Sequence, residues 1–377
     1  MIPFIDLKAQ QARIRDDVDK RLANVLDHGA YIMGPEVKEL EAELGKWSRT
    51  KHVISCSSGT DALVLALLGK KLRPGQGVIC PSFTFAATPE AMAVLGASPI
   101  FADVDPHSFN LDARNLSAAL QAGIDSGLEV VGIMPVGLFG MPSDMIAIRD
   151  FAQKHGLWVI DDAAQSFGAS FNDVPVGKLA DVTCTSFFPA KPLGCYGDGG
   201  ALFTDDDEVA EIAISCRIHG MGKTKYHNDR IGMTARLDSM QAAVLLSKLS
   251  IFQDELDKRQ QVADQYQELL SAHVITPRLT KGATSSWAQY TIKLPQDCDR
   301  QAIQDALSAK GVPTMIYYPI PMHKQAPYQR YPVANGALTI TDTLCDIVLA
   351  LPMHPYLKSE QIITISDALK SAMAEAK

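Results

Sequence analysis

Short, near-continuously apolar runs alternate with amphipathic stretches through the first part of the chain. His52–Cys56, Gly77–Cys80, Pro99–Val104, Val130–Val136 and Trp158–Asp161 read as strands. Runs with so few polar interruptions are typical of strands covered on both faces. Helical patterns lie near 9–27, 35–47, 61–68, 86–95, 112–122 and 144–155. Val182–Ser186 and Gly200–Phe203 add two further strands, and the acidic run Asp205-Asp206-Asp207-Glu208 reads as a helix start, where carboxylates meet the positive end of the dipole. Strands and helices in alternation predict an α/β fold with a mostly parallel central sheet flanked by helices.

The pattern changes near Leu237. An apolar stripe at Met240, Ala243, Val244, Leu246, Leu249 and Phe252 opens a helical stretch running to about Leu270, with a break expected inside it. A strand at Ala288–Leu294, a helix at 301–310, a Pro-rich loop at 319–332 and a helix near 359–375 follow. This predicts a large α/β domain over 1–240 and a smaller C-terminal α+β domain over 241–377. Two units also suit a chain of 377 residues.

Charge narrows the function. The net charge is −8, and no run of like charge reaches five residues, so the basic face that nucleic-acid binding requires is not expected. The longest apolar stretch, Val130 to Phe139, is too short for a membrane span. The N-terminus lacks the basic and apolar regions of a signal peptide. Seven scattered cysteines without a Cys-x-x-Cys pair point to reduced thiols and a cytoplasmic location, and no metal-ligand spacing with histidine occurs.

Candidate chemistry centres on Lys191. It lies in Ser186-Phe-Phe-Pro-Ala-Lys191-Pro-Leu-Gly-Cys-Tyr-Gly-Asp-Gly-Gly200, with no other charge within five residues. Desolvation lowers a lysine's pKa, and the neutral amine reacts with aldehydes. Most lysines are solvated, so partners must raise the odds. Ser57-Ser58-Gly59-Thr60, between a strand and a helix, is either a plain N-cap or an anion cradle. Asp161 and Asp162 end a buried strand, where open α/β sheets bind ligands, although one of them is expected to cap a helix. Phe85, also past a strand end, is either core or a platform for a planar ring. Pyridoxal 5'-phosphate needs all four: an amine, a carboxylate for its ring nitrogen, an anion cradle and a ring platform. Neither a Walker A loop nor a dinucleotide fingerprint is present.

Seven segments, in order, resemble the motifs of the DegT/StrS-type nucleotide-sugar aminotransferases. They are Gly34-Pro35-Glu36-Val37, Ser58-Gly59-Thr60-Asp61-Ala62-Leu63, Thr84-Phe85-x-Ala87-Thr88, Asp161-Asp162-Ala163-Ala164-Gln165, Ser186-Phe187-x₃-Lys191, Arg236-Leu237-x₃-Gln241-Ala242-Ala243 and Tyr318-Pro319-x-Pro321-x-His323. The resemblance implies a fold-type-I enzyme using pyridoxal 5'-phosphate. It implies that Lys191 holds the cofactor and shuttles a proton, that Asp162 pairs with the ring nitrogen, and that Gln165 contacts the ring's 3-oxygen. Gly59, Thr60, Asp61 and Ser186 would bind the phosphate, and Phe85 would stack on the ring. Arg236, Tyr317, Tyr318 and His323 would lie near the sugar, some reaching in from the second subunit of a homodimer. Glutamate would be the amino donor and a nucleotide-linked keto-sugar the acceptor.

Within the family the chain is most similar to enzymes acting on UDP-linked 2-acetamido-3-keto-glucuronate. It departs from them at Tyr317 and His323, where they carry histidine and asparagine, and from the family at Thr234, where an asparagine usually reaches the neighbouring phosphate. A 4-keto-6-deoxy or other 3-keto sugar is the alternative substrate. A sugar dehydratase of the same family is disfavoured because it carries histidine in place of Lys191. A non-catalytic regulatory relative is opposed by the intact Lys191, Asp162 and Gln165.

Overall fold

The computed structural model describes residues 2–375. In chain order the elements are α1 (Leu7–His28), α2 (Pro35–Ser48), β1 (His52–Cys56), α3 (Gly59–Gly69), β2 (Gln76–Pro81), α4 (Ala87–Val94), β3 (Ser98–Ala102), α5 (Leu116–Asp125), β4 (Glu129–Ile133), α6 (Met145–His155) and β5 (Trp158–Asp162). A small hairpin, β6 (Ser170–Phe171) and β7 (Val174–Pro175), precedes β8 (Val182–Ser186), β9 (Gly200–Thr204) and α7 (Asp207–Cys216). Then come α8 (Ser239–Leu249), α9 (Phe252–Leu270), β10 (Tyr290–Lys293), α10 (Arg300–Ala309), α11 (Thr339–Ile347), β11 (Val348–Leu351) and α12 (Ser359–Glu375).

The main sheet has the order β1-β9-β8-β5-β4-β2-β3. β2, β3, β4, β5 and β8 pair in parallel, while β9 runs antiparallel to both β8 and β1. Six strands therefore point one way and only β9 is reversed. The cause is the connection: β8 returns as β9 through the Lys191 loop without a crossover helix, and such a return is antiparallel. The C-terminal ends of β1, β2, β5 and β8 consequently share one edge, where the crevices of open α/β sheets form.

The apolar strand residues, Ile79, Ile100, Ile133, Ile160 and Val182 among them, pack with α3 to α7 into the largest core cluster. A second core surrounds the antiparallel pair β10–β11 and takes side chains from α9, α10 and α12. Met322, Tyr328, Ala334 and Leu338 leave the C-terminal segment to pack on the first core. The break expected within 238–270 falls at Ser250 and Ile251, between α8 and α9. No helix among the described residues is long and apolar enough to cross a membrane.

Candidate active site

Each strand end on the shared edge contributes one chemical part. Past β1, Ser58 caps α3, its Oγ accepting from Asp61 N at 3.0 Å. The preceding Ser57 hydroxyl donates to the Asp61 carboxylate, drawing that charge to one side. The first N–H groups of α3, at Gly59 and Thr60, have no intrahelical acceptor, which is the arrangement that receives an anion. Ser186, at the end of β8, lies against this turn: a Cβ on Gly59 would stand 2.6 Å from Ser186 Cβ. A Cβ on Gly200 would likewise collide with the Ser58 carbonyl. Two glycines thus let the turn close on β8, and Ser186 Oγ, which accepts from Phe188 N, keeps its own proton free.

Past β5, the two aspartates separate. Side chains alternate across a strand, so Asp162 and Asp161 face opposite ways. Asp162 Oδ2 accepts from Thr88 Oγ1 at 2.7 Å and Oδ1 from Ala164 N at 3.2 Å. Asp161 is fully buried, neither of its oxygens has a partner, and burial beside Asp162 pushes its pKa up to about 8. The helix cap expected of one aspartate is not what either does, because no helix begins there.

Lys191 faces this carboxylate. Burial lowers its pKa and the negative charge of Asp162 opposes the shift. Burial raises the pKa of Asp162, while Thr88, Ala164 and Lys191 act to lower it. The two groups therefore sense one another, yet neither forms an ion pair within 4.0 Å among the described residues. Among the described residues the Lys191 amine has no hydrogen-bond partner, as suits a reactive amine.

Past β2, Phe83 is buried among Phe109, Phe139 and Tyr318, whereas Phe85 is 58 % exposed with its ring 6.2 Å from that of Tyr318. An aromatic of that exposure, past a strand end on the shared edge, offers a free face. Gln165 is oriented by its neighbours: Oε1 accepts from Phe139 N at 2.8 Å, so the amide nitrogen points toward Tyr318 OH at 3.2 Å. One N–H of that NH₂ remains to donate. The Tyr318 phenol is raised by burial and stays neutral, with its proton uncommitted.

The remaining expected residues are more scattered in their contacts. Tyr317 packs against Phe4 and Tyr318, and its phenol is raised by burial. Arg236 is half-buried with its Nε enclosed and unpartnered. The His323 ring is turned toward Ser82, Nδ1 lying 2.7 Å from Ser82 Oγ, with Nε2 3.6 Å from Asp342. Desolvation lowers its pKa. Thr234, exposed, bonds His219 Nε2 at 2.6 Å. The sequence assigned no role to Thr88 or Ser82, because hydroxyls near a helix start carry no distinguishing pattern.

An amine, a buried carboxylate, an anion cradle and an exposed aromatic face at one edge of a parallel sheet fit pyridoxal phosphate part by part. The orphan N–H groups of α3 and the unpartnered amine of Lys191 are what that fit predicts. The fold and site define a pyridoxal-phosphate-dependent enzyme of the fold-type-I aminotransferase class. The profile of the DegT/DnrJ/EryC1/StrS aminotransferase family matches residues 12–370, and the chain belongs to that family. It is 45 % identical to a UDP-2-acetamido-2-deoxy-3-oxo-D-glucuronate aminotransferase of Pseudomonas aeruginosa, over 98 % of this chain and 99 % of the other. A crystal structure of a family aminotransferase from Brucella abortus superposes with a TM-score of 0.96 at 45 % identity, covering 99 % of this chain and 100 % of that one. A Bacillus subtilis structure with bound cofactor PMP, the amino form of pyridoxal phosphate, superposes with a TM-score of 0.89 at 31 % identity, covering 99 % of this chain and 85 % of the other.

Proposed function

We propose that this sugar aminotransferase moves an amino group from glutamate to the 3-keto position of a UDP-linked 2-acetamido-glucuronate. The observation that carries the chemistry is the unpartnered Lys191 amine facing the doubly hydrogen-bonded Asp162 at the strand ends. The substrate is favoured by the 45 % identity to the Pseudomonas enzyme over nearly the whole chain. When bound, pyridoxal phosphate supplies an aldehyde that captures amines and a ring that withdraws electrons from the carbon being deprotonated.

In this reading the residues divide the work. Lys191 would hold the cofactor through its amine and, once the incoming amine has displaced it, would take a proton from the carbon that loses nitrogen and give it to the carbon that gains nitrogen. Burial suits it to this, since a lowered pKa leaves more of the amine neutral and able to accept a proton. Asp162, ionised, would pair with the ring nitrogen. Gln165 would donate its free N–H to the ring oxygen. Gly59, Thr60 and Ser186 would donate to the phosphate while Asp61 stays engaged with Ser57, and Phe85 would cover one ring face.

Arg236 and the Tyr317–Tyr318 pair are assigned to the sugar nucleotide, Arg236 through a guanidinium whose Nε is unpartnered. His323, engaged with Ser82, would reach the substrate only from the far side of its ring. The active protein is proposed to be a homodimer with shared sites. In the segment before Arg236, Tyr226 is 89 % and Ile231 92 % exposed, which suits residues that meet another copy.

The test is glutamate-dependent amination of a panel of UDP- and dTDP-linked keto-sugars. The holoprotein should be yellow, bleach with glutamate, and recover colour with the UDP-linked 3-keto-uronate in preference to the others. Recovery with a 4-keto-6-deoxy sugar instead would overturn the substrate, and no bleaching with glutamate would overturn the donor.

A further inference from the structure

The hydroxyl that Asp162 leans on belongs to Thr88, in the first turn of α4, 74 residues away in sequence. Thr88 is fully buried and Thr84 is 2 % exposed. Their hydroxyl oxygens lie 3.0 Å apart. A hydroxyl has one proton, and an ionised carboxylate only accepts. Thr88 therefore donates to Asp162, and Thr84 donates to Thr88. A threonine inside a helix commonly bonds a carbonyl one turn back. Thr88 has no such bond among the described residues; its proton is committed to the carboxylate. The result is a directed chain, Thr84 to Thr88 to Asp162, with Ala164 N–H on the other oxygen.

We propose that Thr88 is a positioning residue whose hydroxyl, oriented by Thr84, keeps Asp162 charged and aimed at the cofactor's ring nitrogen. The inference rests on the assignment of Asp162 to that nitrogen. Asp162 is deeply enclosed, and burial favours its neutral form. Among the described residues Lys191 is the one cation that offsets this, and it ceases to be a free ammonium once its amine holds the cofactor. Asp161, Tyr318 and Cys184 also sense Asp162, but all three are acids whose pKa burial raises, so they add no positive charge. Hydrogen bonds from Thr88 and Ala164 are then what holds the carboxylate ionised, and that from Thr88, at 2.7 Å, is the shorter.

A protonated ring nitrogen disfavours a second positive charge at the Lys191-linked nitrogen. Weakening the first lets the second persist to higher pH. The pH midpoint of the holoprotein's visible absorption therefore reports on Thr88 independently of turnover. Thr88→Val, which keeps the shape, should raise that midpoint by up to about one pH unit. It should lower kcat roughly tenfold, the scale of one hydrogen bond to a charged group, with KM for the sugar unchanged. Thr88→Ser should restore both, and Thr84→Val should give a smaller shift in the same direction. Asp162→Asn, run alongside, should shift the midpoint most. A shifted Asp162→Asn with an unshifted Thr88→Val overturns the role of Thr88 and leaves the assignment of Asp162 standing. An unshifted Asp162→Asn overturns that assignment itself. Loss of kcat in Thr88→Val without a shift marks Thr88 as structural and also refutes the proposal. Should Thr88→Val not fold, Thr84→Val decides: a raised midpoint supports the chain of donors, and an unchanged one refutes it.

Discussion

Lys191 and Lys248 are both lysines whose pKa desolvation lowers, and of the two only Lys191 has the surroundings of a catalytic amine. Lys248 on α8 is 1 % exposed, its Nζ has no hydrogen-bond partner, and burial lowers its pKa to about 8. Its amine lies 4.4 Å from the centre of the Tyr196 ring, and Glu255, which attracts it, is already engaged by Gln10 and Tyr356. Desolvation lowers the basicity of Lys191 too, but it occupies a loop at the edge where four strand ends converge. Around it are a hydrogen-bonded carboxylate, a helix start with orphan N–H groups and an exposed aromatic ring. Lys248 is packed between α1 and α8 with no such set. A lowered pKa identifies a buried lysine; the convergence of unpaired groups around it identifies a site.

The comparison breaks first at Lys191. Lys191→Ala should lower transamination by on the order of a thousandfold or more, since it removes the proton carrier as well as the tether. The absorption band of lysine-bound cofactor should vanish, as a spectrum taken before and after adding cofactor would show. Lys248→Met should leave that band intact.

The cradle is the next largest effect. Gly59→Ala places a methyl 2.6 Å from Ser186 Cβ, so β8 and the turn must part. Overpacking of this kind costs about 1–3 kcal/mol, or roughly ten- to hundredfold in cofactor dissociation constant, measurable by fluorescence titration.

Lys248 should show itself in stability. Its folded pKa of about 8 lies below the 10.5 of an exposed lysine. The unfolded chain thus binds more protons between those values, and wild-type stability rises with pH through that window, by roughly 3 kcal/mol at most. Lys248→Met removes the term, so urea midpoints should favour the variant near pH 7 and the gap should close toward pH 10. The smallest effect is expected at Tyr196→Phe. Its buried hydroxyl has no partner, so its removal should be neutral or stabilise by less than about 1 kcal/mol in the same assay.

Much of the sheet was legible because strands covered on both faces must be apolar throughout. The runs around Ile54, Ile79, Ile133, Ile160 and Cys184 have no other reading. Lys191, Asp162 and Phe85 were legible because each follows such a run, and strand ends of a parallel sheet share one edge. The reversal of β9 was not, since an apolar run carries no direction. α11 and β11 escaped because Thr339–Ile347 is short and half polar and runs straight into Val348. Thr88 escaped for a topological reason: only the order β5-β4-β2 brings the start of α4 to the end of β5. The engagement of His323 with Ser82 likewise depends on the segment after β10 folding back onto the strand-end loop.

Lys191, and neither Lys248 nor any other lysine, is the residue that should hold the cofactor. Borohydride reduction of the holoprotein fixes the bond between lysine and cofactor, and peptide mapping then locates it. Stoichiometric label is expected at Lys191 and none at Lys248. Label at Lys248 or any other lysine, or no label on a protein that retains cofactor, would contradict it.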